Sequence, residues 1–112
     1  MFPILGVIAA VATIIVGLIS VFAPRAVVGF TGLSPQGGRG LSEIRAVLGG
    51  LFVALGAAPL LLQSLAAYQM LGWGYLGVAV VRAASILIDR SPTRSNWISL
   101  GSEIVLAVFL LV

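Results

Sequence analysis

The sequence predicts an all-α polytopic membrane protein, a single domain over residues 1–112 built as a bundle of four transmembrane helices. Three observations predict it. Of the 112 residues 61% are hydrophobic and 8% charged, with mean hydropathy +1.23, more apolar surface than a soluble domain of this length can enclose in one core. Cutting the chain at its polar and Pro/Gly-rich stretches leaves four apolar runs, each close to the roughly 20 residues that cross a ~30 Å hydrocarbon core. The arginines cluster in or near the first and third connections, whereas the second connection and both tails carry no charged side chain.

The first span is expected over residues 2–22. Met1 to Gly6 lacks the positive region of a cleaved signal, so this run is expected to remain as a helix. Pro24 closes it, and the mixed segment 26–33 is apolar enough to lie along the membrane interface. Residues 34–40, with three glycines and a proline, read as a flexible connection. The second span follows at 41–62, with Pro59 placed to kink its far end. A brief linker at 63–69 leads to the third span, 68–88, whose Tyr68, Trp73 and Tyr75 suit the interface near its start. The fourth, 97–112, opens on Trp97 as a second interface anchor and is short enough that it should tilt little or start slightly upstream.

Loop charge sets the expected orientation. With Arg25, Arg39 and Arg45 in or beside the first connection and Arg90 and Arg94 in the third, the positive-inside rule places connections one and three in the cytoplasm and both termini outside a bacterial plasma membrane. The net charge of +3, from six arginines against Glu43, Asp89 and Glu103, thus orients the chain and is no sign of a nucleic-acid partner. Cys and His are both absent, which removes the usual ligands for metals, haem and iron–sulfur clusters; no cofactor is expected on the chain's own side chains, and lipid contacts are.

Small residues at helical spacing are the expected packing surfaces, because helices in lipid gain little from the hydrophobic effect and depend on close backbone approach. Gly6, Ala10 and Gly17 mark the first span, Gly49, Gly50 and Gly56 the second, and Gly74 and Gly77 the third, with Ala46 and Ala84 extending the same faces. The run Gly72-Trp-Gly-Tyr-Leu-Gly77 is not a phosphate loop, since it lacks a lysine and a preceding strand.

Two charges fall inside apolar runs. Arg82 and Glu103 lie about equally far from the middle of the connection 89–96, which in a hairpin of adjacent helices puts them at one depth, roughly 9 Å below the helix ends. An isolated charge at the centre of a membrane helix costs ~2.5–3.5 kcal/mol on insertion scales, and arginine's planar fork matches a carboxylate, so a structural clamp is the first reading. A proton relay or anion site is the second. Glu43, with Ser42 as a cap, reads as a helix-initiating acid, and Arg45 either snorkels to headgroups or extends the Arg82–Glu103 network. Asp89, Arg90 and Arg94 read as a solvated turn with some affinity for anionic lipid.

The set Glu43-Ile-Arg-Ala46, Gly49-Gly50-Leu51, Arg82 with Asp89, and Glu103 in the last run resembles a family of small bacterial four-helix membrane proteins known only as a domain of unknown function, DUF4345. The resemblance covers nearly the whole chain and implies a four-helix fold with these charged positions gathered in one site. It implies no activity.

The expected function is therefore that of a non-catalytic accessory subunit packing against larger membrane subunits, for example in a respiratory or photosynthetic electron-transfer complex. The alternative is a small oligomeric transporter or channel using the Arg82/Glu103 pair. An enzyme is not expected, because Ser85, Ser99, Ser102 and Glu103 offer no nucleophile–base set without His, Cys or Lys.

Overall fold

The computed structural model describes residues 4–112, so Phe2 and Pro3 of the expected first span lie outside the described residues. Four helices in it are long and apolar enough to cross a membrane: α1 (Ile4–Phe22), α3 (Gly37–Leu62), α4 (Leu65–Ile88) and α5 (Arg94–Leu111). A short fifth helix, α2 (Pro24–Thr31), follows α1, with Pro24 in its first turn and Gly32 ending it at φ 77°, where only glycine sits without strain.

Helix boundaries depart from the expected ones where polar or small residues continue a helix. The stretch expected to be a flexible connection is half helical, because α3 begins at Gly37; Gly40 packs so closely on Pro35 that a Cβ there would fall 2.8 Å from the proline Cα. Ser42 and Glu43 are consequently interior residues and do not initiate the helix. Between Ile44 and Gly50 the backbone of α3 widens into π geometry, Leu51 N–H donating five residues back to Ala46 O. The linker before α4 shrinks to Gln63 and Ser64, with Gln63 in the left-handed region at φ 49°. The fourth span starts upstream, at Arg94, after Thr93 caps it by accepting from Asn96 N–H.

Two antiparallel pairs build the protein. In the first, α1 and α3 approach through glycine: a Cβ on Gly17 would lie 2.7 Å from Val53 N, and one on Gly56 would lie 2.7 Å from Ala10 O. Gly49 sits equally tightly against Val21. In the second pair, α4 and α5 close on Gly72, which faces Leu110 and Leu111. The pairs meet where α1 runs parallel to α4 in a seven-residue register, Gly6 against Tyr68 and Thr13 against Tyr75. Ala9, Ala10, Tyr68, Leu71 and Leu110 form the buried cluster at that junction.

Tyr68 is only 2% exposed, so it belongs to the core and not to the interface where its ring chemistry had placed it. Tyr75 likewise turns inward. Trp73 is 63% exposed but lies more than two turns inside α4, because the helix begins earlier than expected; Trp97 is exposed in the first turn of α5. Three expected packing glycines do not pack. A Cβ on Gly74 or Gly77 would meet nothing within 4 Å, and Gly50 approaches only its own helix backbone. Ala46 and Ala84 are exposed as well.

The Cα extents of 43 × 31 × 16 Å describe a slab, thinner than a square bundle. Large aliphatic side chains are exposed on every one of the four long helices, Leu61 at 82% and Leu87 at 80% among them. Such a surface is stable against hydrocarbon, where outward leucines cost nothing and internal contacts rest on shape.

Candidate functional site

The site lies at the arginine-bearing end, where α4 turns into α5. The α4 helix ends in a Schellman-type turn: Arg90 adopts φ 49°, and Ser91 N–H donates to Ile86 O at 3.1 Å. Asp89 accepts from the Ser85 hydroxyl one turn back. Reversal here brings Asn96, in the first turn of α5, over the last turns of α4. Its amide nitrogen donates to Ser91 O and Ser91 Oγ at 3.0 and 3.1 Å, and its carbonyl oxygen faces Arg82.

Arg82 and Glu103 come together through a bidentate contact. Nε donates to Oε1 and Nη2 to Oε2, each at 2.8 Å, while Nη1 donates to Asn96 Oδ1 at 2.8 Å. Both carboxylate oxygens are thus occupied. The guanidinium has five N–H donors, of which three are used, leaving one on each Nη. Side-chain exposure is 31% for Arg82 and 12% for Glu103, so the acid is enclosed and the outer edge of the base is not.

That outer edge opens onto a cleft beneath α2. A mixed chamber of about 550 Å³ is lined by the polar groups of Arg82, Ser91, Thr93, Ser95 and Asn96 together with Phe30 and Leu33. Beside it a chamber of about 330 Å³ is lined chiefly by apolar groups, Val16, Ile19, Val27 and Phe52, with Glu103 and Ser20 at its polar end. Arg82, Ser99, Leu48, Phe30 and Thr31 border both chambers. Leu48 belongs to the π segment of α3. From Phe52 a narrow trough of about 120 Å³ continues between α3 and α4 past Leu71, Gly74 and Val78.

The remaining charged residues form separate contacts. Arg45 makes its contact away from the Arg82–Glu103 pair: its Nη1 donates to Val21 O, one of the carbonyls that the end of α1 leaves without a helical partner. Glu43 pairs with Arg39 one turn earlier at 3.0 Å on an exposed surface, a contact worth a few tenths of a kcal/mol. Among the described residues no group of His, Cys, Asp or Glu is placed to hold a metal ion.

Three residues have contacts that the sequence did not show. Asn96 carried no signal beyond polarity in a loop, and its role follows from the tight α4–α5 turn. Thr13 and Tyr75 share a hydrogen bond between α1 and α4, with the Thr13 hydroxyl also on Ala9 O at 2.8 Å. Their common seven-residue spacing from Gly6 and Tyr68 was the available cue, legible only once α1 and α4 are known to run parallel.

The family model for a domain of unknown function, DUF4345, matches residues 1–112. The chain belongs to the DUF4345 family. No curated protein and no solved structure matches it. Within this DUF4345 chain the residues that carried the resemblance do not form one site: Arg82 and Glu103 pair, Glu43 and Arg45 serve α3 and α1, and Asp89 closes the α4 turn.

Proposed function

We propose that this protein is a non-catalytic membrane subunit that packs against other membrane helices, with the Arg82–Glu103–Asn96 network as the lock of its α4–α5 hairpin. The observation that carries the reading is that the intramembrane charges are used on one another. Each oxygen of Glu103 accepts an N–H of Arg82, so the charge that a relay would use is spent on holding α4 to α5. No buried side-chain nitrogen or oxygen among the described residues lacks a partner.

Association is supported by the outer face of α4. Gly77, Val81 and Ala84 are exposed at i, i+4 and i+7, and a Cβ on Gly77 would meet no atom within 4 Å. A neighbouring helix can approach closely there. In this reading the arginine-bearing end faces the cytoplasm and both termini face outward, following the positive-inside rule. The partner is a larger membrane complex, an electron-transfer complex being one such assembly.

Mild detergent extraction from the native membrane, followed by mass spectrometry of what co-purifies, tests the proposal. A stable set of larger subunits that is lost with Gly77→Leu, while the protein's own melting transition is unchanged, supports it. A chain that runs alone, or the same companions with and without the substitution, overturns it.

A further inference from the structure

We propose that the cleft beneath α2 binds one anionic phospholipid, its phosphate against the outer edge of Arg82 and one acyl chain along the trough between α3 and α4. The inference does not rest on the subunit reading, since it concerns the cleft and not the outer face of α4.

The cavity itself is amphiphilic in the order a lipid requires. Its outer chamber, about 550 Å³, falls within the ~300–1,000 Å³ of small-molecule sites and is the most polar of the three, with hydroxyls, an amide and a guanidinium on one side and Phe30, Leu33 and Leu48 among the rest of its lining. The inner chamber turns apolar at Val16, Ile19 and Phe52, and the trough beyond has little polar surface apart from the Thr13–Tyr75 pair. From Arg82 back to Leu71 is eleven residues of α4, about 16 Å along the axis; at about 120 Å³ the trough is a shallow groove that seats one side of an acyl chain, the other side facing hydrocarbon. The polar chamber involves the α4–α5 turn, at the end of the spans where headgroups lie. Deeper residues meet tails.

Charge complementarity selects the headgroup. The chain's six arginines and three acids all lie toward this end of the helices, giving +3. The acids are already engaged: Glu103 with Arg82, Glu43 with Arg39, Asp89 with Ser85. Arg82 still has two N–H groups to give, and the Ser99 hydroxyl borders both chambers. A phosphodiester offers only acceptors and a full negative charge, which this donor set matches. Glu103 is the one carboxylate among the residues lining the two chambers, and it is held by Arg82, so the ammonium of a zwitterionic headgroup would find no free carboxylate inside the cleft.

The test uses the purified full chain in a neutral detergent, with native mass spectrometry to count retained lipid. Phosphatidylglycerol, phosphatidylcholine and soluble glycerol phosphate are compared at equal concentration. One phosphatidylglycerol per chain, preferred at least about fivefold over phosphatidylcholine, is the expected result. Glycerol phosphate should not be retained, because it lacks the tail that fills the trough. Phosphatidylglycerol carrying a diazirine in its acyl chain should crosslink to Leu71, Gly74 or Val78. Ser99→Phe fills the junction of the chambers while keeping Arg82 and Glu103, and it should abolish the preference in a protein with an unchanged melting transition; if that variant does not fold, Leu48→Trp plugs the same junction. Equal retention of the two lipids, equal binding of glycerol phosphate, crosslinks spread over outward residues such as Leu61 and Leu87, or undiminished retention in a folded plugged variant would each overturn the assignment.

Discussion

Replacing Glu103 by leucine removes one half of the hairpin lock and gives the pair a measurable energy. The guanidinium of Arg82 loses two of its three hydrogen bonds and keeps the one to Asn96. Breaking a buried ion pair costs ~3–5 kcal/mol, but Arg82 is 31% exposed and can turn toward the cleft, which lowers the expected loss to about 2–3 kcal/mol. Arg82→Leu strands a carboxylate that is only 12% exposed, with both oxygens bare, so the expected cost is larger, ~3–4 kcal/mol. In the double variant neither charge remains and two leucines face each other in an apolar setting, so the loss should shrink to about 1 kcal/mol. The coupling is then about 4–6 kcal/mol of recovery relative to additive behaviour. Reversible unfolding in mixed lipid–detergent micelles, followed by fluorescence of Trp97 beside Asn96, measures all four corners of the cycle. Losses that add to within ~0.5 kcal/mol would mean the two side chains do not stabilise the fold through each other.

Two further outcomes follow from the packing. Gly56→Leu should destabilise the α1–α3 pair by ~2–4 kcal/mol in the same unfolding assay, because its Cβ would sit 2.7 Å from Ala10 O, whereas Gly101→Ala, which meets nothing within 4 Å, should be neutral or slightly stabilising. Thr13→Val and Tyr75→Phe should show a coupling of about 0.6 kcal/mol and not above ~1.7, the range measured for hydrogen bonds between membrane helices; independent effects would show that the short contact is not a stabilising bond.

Amino-acid pattern alone was enough for the number of membrane-length helices and for the pairing partner of Arg82. Four apolar runs can satisfy their backbone in lipid only as helices, and two opposite charges equidistant from a tight turn land at one depth whatever else the bundle does. Helix ends were less legible, since Gly37 to Gly40 begin a helix that their propensities disfavour, and Leu65 starts α4 ahead of its aromatic residues. Propensity is a weak guide where tertiary contacts, such as Gly40 on Pro35, hold the turn.

Which glycines pack was not written in the chain, because Gly56 and Gly77 look alike until a neighbouring helix is placed. Parallel contact of α1 with α4 buried Tyr68 and Tyr75, so ring chemistry that suits an interface was overridden by a helix a few ångströms away. Arg45 found the open end of α1, and Asn96 found Arg82, through proximity that only the turns create. The sequence by itself determined that four helices are long and apolar enough to cross a membrane and that Arg82 and Glu103, the charges within those runs, face one another, because hydropathy and spacing act along one chain. Tertiary structure decided which faces close, which stay open and where the cleft beneath α2 lies, because those depend on the distance between helices that no local pattern encodes.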